Sequence, residues 1–278
     1  MENPKRRKPA VALLLSLITP GLGQMYNGRL KRGVILYLGG ISLATMFSLT
    51  GLFLKFYGMV LSLVILFAFL LFVWLDAFIG ALKLKQITLR PYNKWYLYLI
   101  AFLICTFFMQ PLATSWIRNK IARAYKIPSS GMESALLVGD YFIADMGIYK
   151  KEKPKRGDII VFEFPKDPSK EFVKRVIGLD GEKVEIIKNK IHINGQLIVD
   201  PWGHYKDEIQ LGGTTIPSPG DRFGPVVVPR DSLFVLGDNR DNSQDSRYWG
   251  FVVLNRIKGK ALYIYWAKDK TRIGMTIR

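Results

Sequence analysis

Cysteine and histidine are nearly absent from this 278-residue chain: it has one cysteine, Cys105, and two histidines, His192 and His204. A single cysteine excludes an intramolecular disulfide. Two isolated histidines give no zinc-spaced pair, so neither a metal nor another cofactor is expected. Acidic residues are scarce in one region only. Met1–Lys126 holds 16 Lys+Arg against 2 Asp+Glu, net +14, and the rest holds 24 against 20, net +4. A basic excess can mark a nucleic-acid partner. Here the basic clusters lie between apolar runs, as membrane flanks do. No nucleic acid is therefore expected as a partner, and a lipid bilayer is.

A span of the bilayer takes about 20 apolar residues. Three runs qualify, at about 33–54, 59–82 and 95–116. A fourth, residues 10–26, is broken by "TPGLGQ", where Pro20 and two glycines stop a helix. It is expected to be a re-entrant or interfacial hairpin. The basic stretches "KRRK", "RLKR" and Lys83–Lys94 mark the cytoplasmic side. Three crossings then place everything after Trp116 outside the cytoplasm. The expected organisation is a membrane anchor over 1–117 and an extracytoplasmic domain over 118–278. The setting is the plasma (inner) membrane, multi-pass. Asp76, in "VWLDAFIG", reads as a polar residue near a span end that faces another helix.

After Ile127 the apolar pattern changes to period two. "DYFIADMGIY", "GDIIVFEF", "EFVKRVIGL", "SLFVLGD" and "GKALYIYW" read as strands, and Asp180-Gly181 and Asn194-Gly195 as tight turns. Residues 201–225, rich in Gly and Pro, read as an insertion or lid. The fold class is a mostly β, antiparallel soluble domain on an α-helical membrane anchor.

Four segments carry chemistry. They are "IPSSGMESALLVGD" (Ile127–Asp140), "RGDIIVFEFP" (Arg156–Pro165), "FVKRVIGLDGEKV" (Phe172–Val184) and "LGDNRDNSQDSRYWGFV" (Leu236–Val252). In this order they resemble signal peptidase I, the membrane-bound serine protease that removes signal peptides. The likeness spans nearly the whole soluble half. It implies a signal-peptidase-like β fold and a Ser/Lys mechanism without histidine, acting on secretory precursors. Lys174 matches the general base, Ser243 the serine that hydrogen-bonds the lysine amine, and Ser129 an oxyanion-hole hydroxyl. Asp245 and Arg247 match a bracing pair, and Asp238 a carboxylate of the same segment. A lysine serves as a base only when neutral, so Lys174 is expected to be buried. Strand alternation puts Lys174 and Arg175 on opposite faces, with Arg175 outward or paired.

One loop departs from the family pattern P-S-x-S-M-x-P-T-L. The chain reads Pro128-Ser129-Ser130-Gly131-Met132-Glu133-Ser134-Ala135-Leu136. The nucleophile position is Gly131, and the following Pro and Thr are Ser134 and Ala135. Two readings stay open. Either Ser130 has become the nucleophile, or the chain is a pseudo-protease that binds signal peptides or partners a true peptidase.

Overall fold

The computed structural model describes residues 6–84, 91–205, 209–211, 214–216 and 222–278. Parts of the basic stretch Lys83–Lys94 and of the insertion expected at 201–225 lie outside them. The chain divides into two units, Met1–Ile121 and Ala122–Arg278.

The first unit is helical. Among the described residues, three helices are long and apolar enough to cross a membrane: α3 (Leu30–Leu49), α4 (Phe56–Lys83) and the continuous stretch Trp95–Lys120. That stretch comprises α5 (Trp95–Ile104), a π turn (Cys105–Met109) and α6 (Gln110–Lys120). Pro111 cannot donate a main-chain hydrogen bond, and the π turn just before it re-pairs the chain. Residues 10–26 form two short helices, α1 (Pro9–Ile18) and α2 (Leu22–Tyr26), broken at Thr19–Gly21. Ten residues rise only about 15 Å, so α1 reaches about half of a bilayer core. Polar side chains fasten this hairpin to α4. Gln24 Nε2 donates to Val73 O (2.8 Å) and Asp76 Oδ2 (3.1 Å), and Asn27 Nδ2 to Ala77 O (2.8 Å). Arg32 pairs with both Asp76 oxygens at 2.7 and 3.0 Å. Gly23 lets the elements touch, since a Cβ there would fall 2.1 Å from Ala12 O.

The second unit is antiparallel β. Its main sheet has the order β1 (Ala122–Lys126), β2 (Tyr141–Asp145), β13 (Ile257–Trp266), β3 (Ile159–Phe164), β4 (Asp167–Gly178), β11 (Ser232–Leu236), β12 (Val252–Val253). A four-stranded sheet runs β10 (Arg222–Val227), β5 (Lys183–Ile187), β6 (Lys190–Ile193), β7 (Gln196–Leu197). A short pair joins β8 (Ile209–Leu211) to β9 (Thr214–Ile216). The period-two pattern does what it predicts: Phe142 and Ala144 of β2 turn into a core with Leu136, Met132 and Ile264. Strand β11 is buried on both faces, which its "SLFVL" run allows.

Candidate active site

Strand β4 holds the key lysine. It pairs with β3 in register Ile160↔Lys174 and Ile159↔Arg175. Both basic side chains are buried, Lys174 at 6% exposure and Arg175 at 1%. Alternation sends them to opposite faces, and here both faces are covered. The Arg175 charge is met by a two-pronged bond to Asp238: Nε to Oδ1 and Nη2 to Oδ2, both 2.7 Å. Arg175 also donates to Gly157 O and stacks on the Trp202 ring. The Lys174 amine has no such partner among the described residues. Burial drives its pKa below that of an ordinary lysine. The carboxylates of Asp245 and Asp238 oppose this, and the Arg247 guanidinium reinforces it.

The loop Ile127–Asp140 brings residue 131 to that amine. Ser130–Met132 makes one 3₁₀ turn after Ser129, which is extended (φ −137°). A Cβ built on Gly131 would fall 3.0 Å from Lys174 Nζ, 3.5 Å from Asn242 O and 3.7 Å from Ser243 Oγ. Ser130 Oγ instead accepts from Asn242 Nδ2 at 2.8 Å. Ser243 is buried, and its Oγ has no hydrogen-bond partner among the described residues. The Ser243–Lys174 bond that the resemblance implies is therefore not made. The amine lies over Gly131 instead.

The segment Leu236–Trp249 walls the site from behind. Asp245 accepts from Gly237 N (3.1 Å) and from Arg247 at 2.8 and 2.9 Å. It also caps the short helix α7 (Ser246–Trp249). Asn239 N donates to Gly131 O at 3.3 Å. Gly237 is needed for this contact, because a Cβ there would lie 2.1 Å from Ser243 Oγ and 2.3 Å from Gly131 O. In front, a cleft of about 330 Å³ is lined by Ile127, Ser129, Gly131, Met132, Val173 and Lys174, among others. Ser243 is not in its lining.

Ser129, Gly131 and Lys174 thus line one cleft, while Ser130 is bonded to Asn242 and lies outside that lining. Ser243 Oγ lies 3.7 Å from the Cβ position of residue 131, Asp238 pairs with Arg175 and Asp245 with Arg247. Sequence reasoning missed three features. Arg175 is the partner of Asp238. Gly237 allows the two loops to touch. Arg240, buried, pairs with Asp200 at 2.7 Å and ties in the start of the Gly/Pro-rich segment. His204 joins that contact through its backbone, donating to Asp238 O and accepting from Arg240 N. The "RDNS" run carried a signal for Arg240, since a buried arginine in a turn needs a carboxylate.

Comparison with known proteins gives one consistent result. The profile of the family "Signal peptidase, peptidase S26" matches residues 96–266. The signal peptidase I of Aquifex aeolicus is 35% identical over 213 residues, 59% of this chain and 83% of that protein. That of Leptolyngbya laminosa is 40% identical over 163 residues, 55% of this chain and 73% of that protein. A crystal structure of a signal peptidase I from Enterococcus faecalis is 32% identical, covers 39% of this chain and 97% of its own, and aligns with a TM-score of 0.30. With more than half of its length matched, the chain belongs to the signal peptidase S26 family.

Proposed function

We propose that this chain is a signal peptidase I-type serine endopeptidase that removes signal peptides from secretory precursors, with Lys174 as general base. The observation that carries the reading is the buried Lys174 amine, 3.0 Å from the Cβ position of residue 131. A neutral amine there can take the proton of an attacking hydroxyl. The hydroxyl oxygen adds to the scissile carbonyl, and the ammonium returns the proton to the departing amine. Water then hydrolyses the acyl ester by the same exchange. Ser129 would donate to the carbonyl oxygen as negative charge develops. Asp245 and Arg247 would brace the lysine, and Ser243 would steady its amine. The precursor would lie extended along the cleft and add its main chain to a strand edge. Three apolar helices support a multi-pass setting in the plasma (inner) membrane. The basic flanks support an extracytoplasmic domain over 118–278.

Ser130 is the hydroxyl of this loop that could attack. Its bond to Asn242 rather than to Lys174 favours a second reading. In that reading the chain binds precursors and cuts them poorly or not at all. Purified full-length protein, given a precursor with an Ala-x-Ala site, separates the two. If Ser130 attacks, wild type cleaves, and Ser130→Ala and Lys174→Ala each lose nearly everything, because nucleophile and base act as a unit. If wild type is silent and Gly131→Ser cleaves, the second reading holds. Cleavage that survives both alanine changes rejects the Ser/Lys assignment.

A further inference from the structure

In a Ser/Lys site a hydroxyl normally stands between the lysine and the substrate. Here the order of groups differs. Gly131 and Lys174 line the cleft, and Ser243 does not. Ser243 Oγ is shut off from solvent behind them. Ser130, the neighbouring hydroxyl, is held by Asn242. No hydrogen bond ties Lys174 Nζ to any described residue. The amine thus faces the cleft beside Gly131 with no hydroxyl bonded to it, alongside the Lys126 and Ser129 side chains of the same lining, and its ammonium form is disfavoured by burial.

We infer that Lys174 is itself a nucleophile toward aldehydes, and that the cleft captures small aldehydes, peptide aldehydes included, as imines on Nζ. The Nζ lone pair attacks the aldehyde carbon, and the carbonyl electrons go to oxygen. Both N–H protons end on that oxygen, which leaves as water, and a C=N bond remains. No oxidant or reductant is consumed. A desolvated lysine in an apolar pocket is activated for this step because its lone pair is free. Val173, Met132 and Ile127 of the cleft wall supply the apolar surroundings. The carboxylates of Asp245 and Asp238 partly counter the effect, and the Arg247 guanidinium adds to it. The inference rests on the reading of Lys174 as a neutral amine. It does not depend on peptide cleavage.

The test labels the full-length protein in detergent with propanal at pH 7 and traps imines with cyanoborohydride. Labelling rates are then read for each lysine by peptide mass spectrometry. A tenfold rise in the neutral fraction accompanies each pKa unit of lowering. Lys174 should therefore label severalfold faster than the median surface lysine. Gly131→Ser should slow that labelling severalfold, because the new hydroxyl engages the amine. A short peptide aldehyde ending in alaninal should protect Lys174 from propanal in wild type. Labelling of Lys174 at or below the median rate overturns the proposal. An unchanged Lys174 rate in Gly131→Ser, with circular dichroism matching wild type, overturns it too. The peptidase reading is scored separately, on precursor cleavage, so the two can fail independently.

Discussion

Replacing Gly131 with serine is the sharpest perturbation this site offers. The backbone allows it: Gly131 is not among the residues with positive φ, so an L side chain fits. The Cβ would stand 3.0 Å from Lys174 Nζ, and that flexible amine must yield by a few tenths of an ångström. The hydroxyl, one bond further out, then reaches Nζ and Ser243 Oγ. In another serine protease, losing the nucleophile costs on the order of 10⁶ in kcat, about 8 kcal/mol of transition-state stabilisation. A nucleophile displaced by about 1 Å costs on the order of 100-fold. Gly131→Ser should therefore raise cleavage of an Ala-x-Ala precursor by at least about 100-fold if Ser130 serves in wild type. The gain should span several orders of magnitude if nothing does. The assay is single-turnover cleavage followed by gel or mass spectrometry, with Gly131→Ser/Lys174→Ala as control. A folded Gly131→Ser protein no faster than wild type would refute the geometry. A gain that persists in the double variant would refute Lys174 as the base.

Three further outcomes are expected. Asp238→Ala strands the buried Arg175 charge and should cost about 3 kcal/mol, since breaking one side of a buried pair costs roughly 3–5 and Gly157 O and Trp202 soften the loss; a urea titration of the full chain in detergent reads it. Ser134 sits at φ +94°, which costs an L residue about 1–2 kcal/mol, so Ser134→Gly should stabilise by up to about 1 kcal/mol and Ser134→Pro should destabilise by more than that, measured as shifts in the melting curve. Lys174 has a lowered folded-state pKa, so below that pKa both states are protonated and the penalty on folding is full. It fades as pH rises toward the unfolded value of about 10.4; Lys174→Met should thus be more stable than wild type at neutral pH by about 1.4 kcal/mol for each tenfold preference for the neutral amine, with the gap closing above pH 10.

The β domain and its motif-bearing segments are legible in the sequence because period-two burial is a local rule that β2 and β5 obey. The resemblance pointed to Lys174, Ser243, Asp245 and Arg247; of these only Lys174 lines the cleft, and Asp245 and Arg247 pair with each other. What stayed hidden depends on contacts between distant segments. Alternation says that Lys174 and Arg175 point opposite ways, but not that both faces of β4 are covered. The Arg175–Asp238 bond joins residues 63 positions apart. Whether Ser130 faces the lysine or Asn242 depends on a 3₁₀ turn, which no local pattern specifies.

Contacts between distant segments also explain how the loop keeps its place without a side chain at position 131. Ser130 is bonded to Asn242, Gly131 O to Asn239 N, and Glu133 to Asn239 Nδ2. Ser134 Oγ donates to Trp202 O at 3.4 Å, and Met132 is buried in the core beside Leu136. None of these contacts uses a side chain at position 131. The contrast with other glycines is instructive. At Gly237 a Cβ would collide with Ser243 Oγ and Gly131 O, and at Gly157 it would meet the Trp202 ring at 2.9 Å with φ at +92°. Those glycines are required by packing. Gly131 is required by neither its backbone nor its neighbours, beyond a small shift of the Lys174 amine. What glycine changes at 131 is therefore the chemistry that Lys174 can perform, while the scaffold around the lysine is built from residues that do not depend on it.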